Sequence, residues 1–245
     1  MMEQLFYAPD ISVIPELPEE ESQHCTRVLR LKTGDSITVT DGKGFFYAAT
    51  ITNTHPNHCQ VGITKRWSYQ PLRKYNIHIA VAPTKNMDRM EWFVEKATEI
   101  GIDTITCLHC RYSERKEIKL QRLNRIAISA MKQSQKAFLP VINEMTDFQN
   151  FILHDFNDVK MIAHCADDHK QLIKNVYIPG RQALILIGPE GDFSSEEIAD
   201  ARAAGFRPVS LGENRLRTET AALVACHTIH LLSADYADKI HNSIY

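Results

Sequence analysis

Short apolar runs broken by polar turns fill the first seventy residues of the chain, and this pattern predicts β-strands. The β-branched or aromatic runs are residues 36–40, 45–51 and 59–64. Asp41 and Gly42 lie between the first two runs and give the typical signal of a hairpin. Strands at this spacing indicate a small barrel. A helix with Ser22 as its N-cap is expected before them, and its inner face would hold Cys25, Val28 and Leu29.

Beyond these residues, apolar runs alternate with amphipathic stretches of helical period. The expected strands are residues 77–82, 102–108, 161–164, 183–187 and 208–211, and the expected helices are residues 88–100, 120–135, 194–204 and 218–234. Asp88 and Glu91 have the spacing of a capping box, and Gly101 fits a helix stop. Strands that alternate with helices predict an α/β domain with a mostly parallel sheet covered on both faces.

Composition limits the classes to which the chain can belong. Of its 245 residues, 44% are hydrophobic and 24% are charged, which excludes global disorder and collagen-like structure. The net charge is -2, so any site for a polyanion has to be a local patch. No apolar run approaches the roughly 18 residues of a membrane span, and no secretion signal is recognised. Six cysteines without such a signal indicate reduced thiols, so we expect a soluble cytoplasmic protein.

The segment from Ile187 to Glu197 carries the strongest local signal. A fully apolar strand runs into Gly188 and Gly191, and two serines and two glutamates then start a helix. Open α/β sheets bind ligands at the carboxyl ends of their strands, where glycines let the backbone approach a ligand. The other interpretation is a tight strand-to-helix turn. The pattern is neither a dinucleotide fingerprint nor a P-loop, and Glu190 would repel a phosphate, so a nucleotide-phosphate site is not expected.

Residues 211–221 repeat this theme with a strand end, a glycine, a polar loop and a helix start. Glu219 suits the first turn of that helix. Arg215 and Arg217 are poorly placed at a helix N-terminus, which indicates an anion nearby, either a carboxylate or a phosphate. The alternatives are solvated arginines or an internal arginine–glutamate pair. Two glycine-containing loops in one domain predict a single ligand held by both.

A charge pattern of nearly one sign lies between residues 111 and 136, where eight basic residues accompany two glutamates. Spacings of three and four residues place Arg122, Arg125, Lys132 and Lys136 on one stripe of a helix. Most such stripes are only the solvated face of a helix. In a chain of net charge -2, this stripe can also follow the phosphate backbone of a nucleic acid.

Two further groups give weaker signals. Cys107 and Cys110 have C-x-x-C spacing, but no second pair and no suitably spaced histidines follow, so we expect a buried strand end and no metal site. His164 ends another strand and either lines the ligand pocket or is a core histidine. Neither the residue order of a Ser-His-Asp triad nor a His-Glu-x-x-His helix is found in the sequence.

The two glycine loops together have a specific resemblance. Residues 187–193 with residues 211–222 resemble the paired signature of the RsmE-type 16S ribosomal RNA uridine N3-methyltransferases, which belong to the SPOUT class of knotted methyltransferases. Further matching motifs, in the same order along the chain, are residues 24–35, 87–101, 113–115 and 133–134. The resemblance therefore covers essentially the whole chain.

This resemblance implies a fold, a cofactor and a partner. The fold is an α/β, SPOUT-type trefoil-knotted domain with a mostly parallel sheet, residues 74–245, preceded by a small PUA-like β-barrel that helps to hold RNA, residues 1–70. S-adenosyl-L-methionine would be held by the backbone of three strand-end loops, near residues 163–165, 187–191 and 211–216. The family is dimeric, so the resemblance implies a homodimer that acts on 16S ribosomal RNA of the small ribosomal subunit.

The resemblance and the charge pattern together give candidate residues. The cofactor-binding candidates are His164, Ile187, Gly188, Pro189, Glu190, Gly191, Leu211, Gly212, Asn214, Arg215, Leu216 and Thr218. The catalytic candidates are Arg217, Glu190 and Glu219. The RNA-binding candidates are His24, Arg27, Arg30, Arg111, Arg115, Arg122, Arg125, Lys132 and Lys136. Three positions depart from the family pattern, because Asp192 replaces a third glycine, Lys136 replaces an arginine and Asn86 replaces a glycine.

The resulting hypothesis is methyl transfer to N3 of a uridine, which by family resemblance is uridine-1498. N3 of uracil becomes a nucleophile only as its weakly acidic proton leaves, so the site needs a base or a cation that stabilises the uracil oxyanion. Arg217 is the expected cation, and Glu190 and Glu219 either accept the proton, position an arginine or are structural partners of helix ends. The alternative within the class is ribose 2′-O-methylation. The alternative from another class is a non-catalytic RNA-binding module.

Overall fold

The structure, a computed structural model, describes residues 4–69, 75–166 and 169–243, with side chains as far as residue 234. Its strands are β1 (Leu5–Tyr7), β2 (Ser36–Thr40), β3 (Phe45–Asn53), β4 (Gln60–Ser68), β5 (Ile77–Val81), β6 (Thr104–His109), β7 (Val141–Asp147), β8 (Val159–Ala163), β9 (Gln171–Leu172), β10 (Ala183–Ile187) and β11 (Arg207–Ser210). Its helices are α1 (Glu19–Gln23), α2 (Met87–Ile100), α3 (Leu120–Gln133), α4 (Phe148–Ile152), α5 (Ile173–Val176), α6 (Ser195–Ala203) and α7 (Thr218–Ser243).

The chain divides into two compact units. The N-terminal unit consists of Met1–Pro71 with Ile128–Leu139, and the C-terminal unit consists of Leu72–Ala127 with Pro140–Tyr245. The N-terminal unit is therefore built from two separate stretches of chain, which the sequence does not indicate. The predicted domain boundary falls at residues 70–74, outside the described residues, and stays a prediction.

A four-stranded sheet in the order β1-β2-β3-β4 forms most of the N-terminal unit. β1 runs parallel to β2, and the other neighbouring strands are antiparallel. After β1 the chain turns back, so that Pro15 and Leu17 form backbone hydrogen bonds with Val61 and Cys59 near the start of β4. The segment that begins with β1 thus pairs with β2 on one side and with the β4 edge on the other, which closes the sheet in the manner of the predicted small barrel.

The turn between β2 and β3 lies at the predicted hairpin. The Asp41 carboxylate accepts hydrogen bonds from the backbone N–H groups of Lys43, at 2.8 Å, and Phe45, at 3.1 Å. Gly44 has a φ of 105°, and its N–H donates to the carbonyl of Ala137 at 2.8 Å. A β-carbon on Gly44 would lie 2.5 Å from the ring of Phe138, so this close approach requires glycine.

The helix before β2 differs from the prediction at its start. α1 begins after Pro18, and Ser22 lies within the helix, so its predicted role as N-cap is wrong. The Ser22 hydroxyl instead donates to a backbone carbonyl and accepts the N–H of Cys59 at 3.0 Å. A π-helical turn, His24–Val28, follows. Cys25 is buried as predicted, whereas Val28 is exposed, because the wider turn breaks the 3.6-residue period on which its assignment rests.

A seven-stranded sheet in the order β7-β6-β5-β10-β8-β11-β9 forms the centre of the C-terminal unit. Every neighbouring pair is parallel, which confirms the α/β prediction. Leu184 and Leu186 of β10 pack against Phe148 of α4 and Ile198 of α6. Ile185 points to the opposite face and is equally buried. Both faces of β10 are therefore covered, as its unbroken apolar sequence predicts.

Helix boundaries in the C-terminal unit follow residue chemistry. Asn86 caps α2 by accepting the N–H of Asp88 at 3.0 Å, so the prediction that Asp88 is the cap is wrong. Gly101 ends α2 in the left-handed conformation, as predicted. Ser194 caps α6 and forms a full capping box with Glu197. Among the described residues, no helix is long and apolar enough to cross a membrane.

Candidate functional site

Three loops surround a cavity of about 780 Å³ at the carboxyl ends of β8, β10 and β11. These strands are neighbours in the order β10-β8-β11 and are parallel, so their carboxyl ends meet at one edge of the sheet. The lining residues of the three loops lie within residues 163–165, 187–192 and 209–218. The structure thus brings the two predicted glycine loops together around one space, at the place where α/β sheets bind ligands.

Most of the predicted cofactor-binding and catalytic residues line this cavity. They are His164, Ile187, Gly188, Pro189, Glu190, Leu211, Gly212, Asn214, Arg215, Leu216, Arg217 and Thr218. Gly191 and Glu219 are not among the lining residues. A β-carbon on Gly191 would lie 3.1 Å from the side chain of Tyr112, so a packing contact accounts for this glycine.

His164 lines the cavity with an imidazole that lacks hydrogen-bond partners among the described residues. The side chain is 93% buried, since only 7% of the residue is exposed, and neither ring nitrogen has a hydrogen-bond partner among the residues that the structure describes. Burial lowers the pKa of His164 below its ordinary value, and the charge of Lys170 lowers this pKa further. The ring is therefore neutral at pH 7 and offers one donor and one acceptor to a molecule in the cavity.

Asp192 joins the first two loops. Its backbone has a φ of 66°, and its N–H donates to the carbonyl of Pro189 at 2.9 Å. Its carboxylate accepts the N–H of Cys165 at 2.7 Å. Aspartate is one of the few residues other than glycine that adopts the left-handed region at low cost. The departure from the family pattern at this position therefore keeps the turn and adds a bond between loops.

The two glycines of the signature are required for different reasons. A β-carbon on Gly188 would lie 3.1 Å from the ring and 3.2 Å from the backbone nitrogen of Phe193, so side-chain packing excludes it. Gly212 has open space around it, but its φ is 130°, which side-chain-bearing residues rarely adopt. The Thr218 hydroxyl donates to the carbonyl of Gly188 at 3.1 Å and thereby joins the second and third loops.

The charged candidates fall into two environments. Arg215 and Arg217 are exposed, and their guanidinium groups have no hydrogen bond or ion pair with any residue in the described ranges. The internal arginine–glutamate pair is therefore not found for them. Glu190 is exposed, and its carboxylate accepts the N–H of Lys85 at 2.9 Å. Glu219 is buried, and one of its oxygens lies 3.9 Å from the Arg89 guanidinium. Its other oxygen has no partner within the described part of the chain.

Sequence reasoning missed several polar residues that line the cavity. They are Arg89, Lys170, Ser210 and Glu213. Arg89 comes from the first turn of α2, far along the chain from the glycine loops. It does lie within residues 87–101, one of the motifs that resemble the family, and an arginine in the first turn of a helix is as poorly placed as Arg215 and Arg217. That misplacement is the signal that could have identified it.

The predicted basic stripe on α3 is partly neutralised. Arg122 donates to the Glu91 carboxylate at 2.8 Å, and Lys132 donates to the Glu21 carboxylate at 2.6 Å. The opposite face of the helix, with Leu123 among its residues, is buried as predicted. The stripe therefore presents less uncompensated charge than its sequence indicates, and its contact with RNA stays a prediction.

The remaining RNA-binding candidates differ in how far they are free to bind. The guanidinium of Arg115 donates to the backbone carbonyl of Lys85 at 2.7 Å, so it holds the loop that precedes α2. Arg111 lies 3.7 Å from the Glu196 carboxylate. The imidazole of His24 lies 3.0 Å from the amide of Gln4. Arg27 and Arg30 are exposed and lie in and just after the π-helical turn. Arg125 is exposed on α3, and Lys136 is half-buried beyond the end of that helix.

The C-x-x-C pair lies at the end of a buried strand, as predicted. Cys107 and Cys110 are both buried, and burial raises the pKa of the Cys107 thiol to about 12. Burial also raises the pKa of the Cys110 thiol, so both thiols favour the protonated form. Among the described residues, no group of histidine, cysteine and acidic side chains has the arrangement of a metal site.

Two family models match the chain. A model described as "RNA methyltransferase domain" matches residues 71–230, and one described as "RNA methyltransferase PUA domain" matches residues 17–64. Among characterised relatives, a ribosomal RNA small subunit methyltransferase E from Rickettsia conorii is 28% identical over 223 residues, which cover 89% of this chain and 90% of that protein.

Solved structures show the same likeness over the whole chain. A probable rRNA-methyltransferase from Porphyromonas gingivalis is 47% identical with a TM-score of 0.90, and the match covers 95% of this chain and 99% of that one. A ribosomal RNA small subunit methyltransferase E from Neisseria gonorrhoeae, solved bound to S-adenosyl methionine, is 26% identical with a TM-score of 0.83 over 94% of this chain and 98% of that one. This chain therefore belongs to the RsmE-type RNA methyltransferases, the family that its two glycine loops resemble.

Proposed function

We propose that this protein transfers a methyl group from S-adenosyl-L-methionine to N3 of a uridine in 16S ribosomal RNA, and that this uridine is uridine-1498, as the resemblance implies. The observation that carries the proposal is the single cavity formed by three strand-end loops, two of which hold the family signature. The resemblance supports the choice of RNA, of the N3 atom and of the nucleotide.

The residues of the cavity fit S-adenosyl-L-methionine. A volume of about 780 Å³ lies within the range of roughly 300–1,000 Å³ that is typical of pockets for ligands of this size. The unpartnered imidazole of His164 and the backbone of the loops at Gly188 and Gly212 supply donors and acceptors for the polar groups of such a ligand. We propose that Ile187, Leu216 and these groups hold the cofactor.

The cofactor, when bound, supplies an electrophilic methyl group on a sulfonium. The protein has to orient the uracil and stabilise the negative charge that N3 deprotonation leaves on the ring. Arg217 lines the cavity and is exposed, and its guanidinium has no hydrogen bond or ion pair in the part of the chain that the structure describes, so it is available for a uracil oxygen. Fixed cations of this kind act more strongly in a site from which RNA and cofactor have displaced water.

Two carboxylates are candidates for the remaining roles. Glu190 lines the cavity and is anchored by the N–H of Lys85, so it is placed to accept the N3 proton. Glu219 is buried beside Arg89 and does not line the cavity, so we propose that it positions that arginine. Glu190 is then the base, and Glu219 does not accept the proton itself.

The proposal extends to partners. We propose that the protein acts as a homodimer on the small ribosomal subunit, whose location is the cytoplasm, and that the exposed residues Arg27, Arg30 and Arg125 contact RNA phosphates. Family resemblance supports the dimer, and sedimentation of the purified protein tests it. Charge on the N-terminal unit would position the RNA and contribute no base specificity.

The test is incubation of the protein with labelled S-adenosyl-L-methionine and 30S particles that lack the modification, followed by mapping of the methylated nucleotide. We expect label at a single uridine, and mass spectrometry of the nucleosides should place the methyl group on the base. Methylation of the ribose would support the 2′-O alternative and contradict our proposal. An absence of cofactor affinity in calorimetry would instead support the non-catalytic RNA-binding module.

A further inference from the structure

Three half-exposed aromatic side chains form a patch on the N-terminal unit. They are Trp67, Tyr69 and Phe138, with 38%, 39% and 42% of their surfaces exposed, and we call them the aromatic patch. The rings of Tyr69 and Phe138 are 6.3 Å apart in an edge-to-face arrangement. The buried ring of Phe46 joins the patch from beneath, at 5.7 Å from Trp67 and 5.8 Å from Tyr69. The three rings therefore form one continuous surface.

The backbone holds this patch in place. Trp67 is the cross-strand partner of Phe46 between β4 and β3, so the two side chains share one face of the sheet. The N–H of Tyr69 donates to the carbonyl of Gly44 at 2.8 Å, which continues the ladder beyond the end of β4. Phe138 packs directly on Gly44. The rings are thus ordered before any ligand arrives, and binding to them loses little side-chain entropy.

The surroundings of the patch are basic. The Lys65 ammonium lies 5.9 Å from the centroid of the Trp67 ring, on the same face of β4. Lys43 lies on the turn next to Gly44, and its backbone is bridged to Phe138. Its ammonium is engaged, because it donates to the carbonyl of Pro9 at 2.8 Å and lies 3.5 Å from the Asp10 carboxylate. Residues 60–69 contain no acidic residue. An exposed cation such as Lys65 beside ordered aromatic faces is the arrangement that binds single-stranded nucleic acid, in which bases stack on the rings and phosphates contact the positive charge.

We infer that the aromatic patch is a binding site for single-stranded RNA, with bases stacked on Trp67 and Tyr69 and a phosphate held by Lys65. This inference rests on the proposed function for its choice of RNA, but it concerns binding and not methyl transfer. A protein partner fits less well, because lysine is depleted in protein–protein interfaces and here flanks the rings. The three rings are not among the residues that line the cavity of the C-terminal unit, and neither they nor Lys65 are among the RNA-binding candidates predicted from the sequence.

Intrinsic fluorescence tests the site directly, because the chain has two tryptophans, Trp67 and Trp92. In the full-length Trp92→Phe variant, Trp67 is the remaining tryptophan. We expect its emission to be quenched when a single-stranded oligoribonucleotide of about twelve nucleotides is added without methyl donor. Unchanged emission at RNA concentrations that saturate binding would overturn the inference.

Affinity measurements by fluorescence anisotropy supply a second test. Trp67→Ala should weaken binding of the same oligonucleotide by about tenfold, whereas Trp67→Phe, which keeps an aromatic face, should retain most of it. Trp92→Ala is the matched control, because Trp92 is 41% exposed in the other unit and should not affect binding. If Trp67→Ala does not fold, as judged by circular dichroism, Tyr69→Ala decides in its place.

The salt dependence separates stacking from charge. Lys65→Ala should lower the slope of log affinity against log salt by about 0.7, and Trp67→Ala should leave this slope unchanged. Wild-type RNA affinity in both Trp67→Ala and Tyr69→Ala would overturn the inference. A change of oligomeric state in sedimentation without a change in RNA affinity would also overturn it, because the patch would then be a contact between two copies of the chain. Loss of methylation alone bears on the proposed function, because these measurements need no turnover.

Discussion

The carboxylate of Asp192 accepts the backbone N–H of Cys165 at 2.7 Å and so fastens the second loop of the cavity to the first. The bond depends on the left-handed backbone of Asp192, with its φ of 66°, which turns the carboxylate toward Cys165. Because His164 directly precedes Cys165, the same bond fixes the loop that carries the unpartnered imidazole. The shape of the cavity therefore depends on a residue that departs from the family pattern.

Replacement of Asp192 by glycine should weaken cofactor binding. Glycine adopts the left-handed conformation, so the variant loses the carboxylate without backbone strain. A hydrogen bond to a charged group contributes about 1.5–3 kcal/mol, and we expect S-adenosyl-L-methionine affinity to fall at least about tenfold in titration calorimetry. Asp35→Gly is the control, because Asp35 accepts the N–H of Lys32, also at 2.7 Å, in the other unit. Equal losses in both variants would contradict the prediction.

Arg217→Ala should stop methylation but leave S-adenosyl-L-methionine binding nearly intact. The arginine is exposed and its guanidinium makes no hydrogen bond or ion pair within the described residues, so its removal should not disturb the loop. Loss of a fixed charge that stabilises a transition state costs a factor of about 100 or more in turnover. Initial rates with 30S particles measure kcat, and calorimetry measures cofactor affinity. Arg181→Ala is the control, because Arg181 is an exposed arginine of the same unit. If Arg217→Ala turns over as fast as Arg181→Ala, Arg217 is not part of the site.

Gly188→Val should destabilise the fold and weaken cofactor binding together. The new β-carbon would lie 3.1 Å from the ring of Phe193, which is 4% exposed and belongs to the hydrophobic core of the C-terminal unit. Overpacking of this kind costs about 1–3 kcal/mol in the free energy of unfolding, which urea denaturation measures. Gly62→Ala is the matched control, because its β-carbon would meet its nearest neighbour at an ordinary 3.5 Å. Comparable stability of the two variants would argue against the packing explanation.

The stability of the protein should fall as the pH falls below about 6.5, and His78 should account for part of this loss. Burial lowers the pKa of His78 to about 4, with its ring bonded to the Thr106 hydroxyl at 2.8 Å. Between the two pKa values the unfolded chain binds a proton that the folded chain excludes, so the free energy of unfolding decreases. From pH 7 to pH 5 the expected contribution is about 2 kcal/mol.

His78→Gln checks this linkage, since glutamine keeps a polar side chain but does not titrate. Urea denaturation at pH 7 and pH 5 should show a smaller drop in the free energy of unfolding for the variant than for the wild type. An identical drop in both proteins would mean that His78 does not carry the effect.

The sequence pattern was sufficient to predict those features of the fold that depend on local chemistry. The bounds of β2 and β10, the left-handed stop at Gly101 and the cap at Ser194 all agree with it. β7 and β9 were missed because they are short or exposed edge strands without a continuous apolar run. The start of α1 was misassigned because Ser22 resembles a cap but is bonded to Cys59, a residue far along the chain.

The candidate site shows the same division. Both glycine loops are local signals, and the parallel order of β10, β8 and β11 then brings them together. Arg89 could not be placed beside Glu219, because their proximity depends on how α2 packs against α7. The aromatic patch was also missed, since Tyr69 and Phe138 meet only after residues 128–139 join the N-terminal unit.

That return of residues 128–139 has a consequence for any attempt to cut the protein into modules. Leu139 donates its N–H to Gly42, and Ala137 accepts that of Gly44, so a fragment that ends near residue 70 would leave the β2–β3 turn without two of its bonds and would uncover Phe46. A protease that nicks the chain between the two predicted domains would therefore not release a free N-terminal fragment. Transplanting the N-terminal unit into another enzyme would require both stretches of sequence, joined by a designed connection.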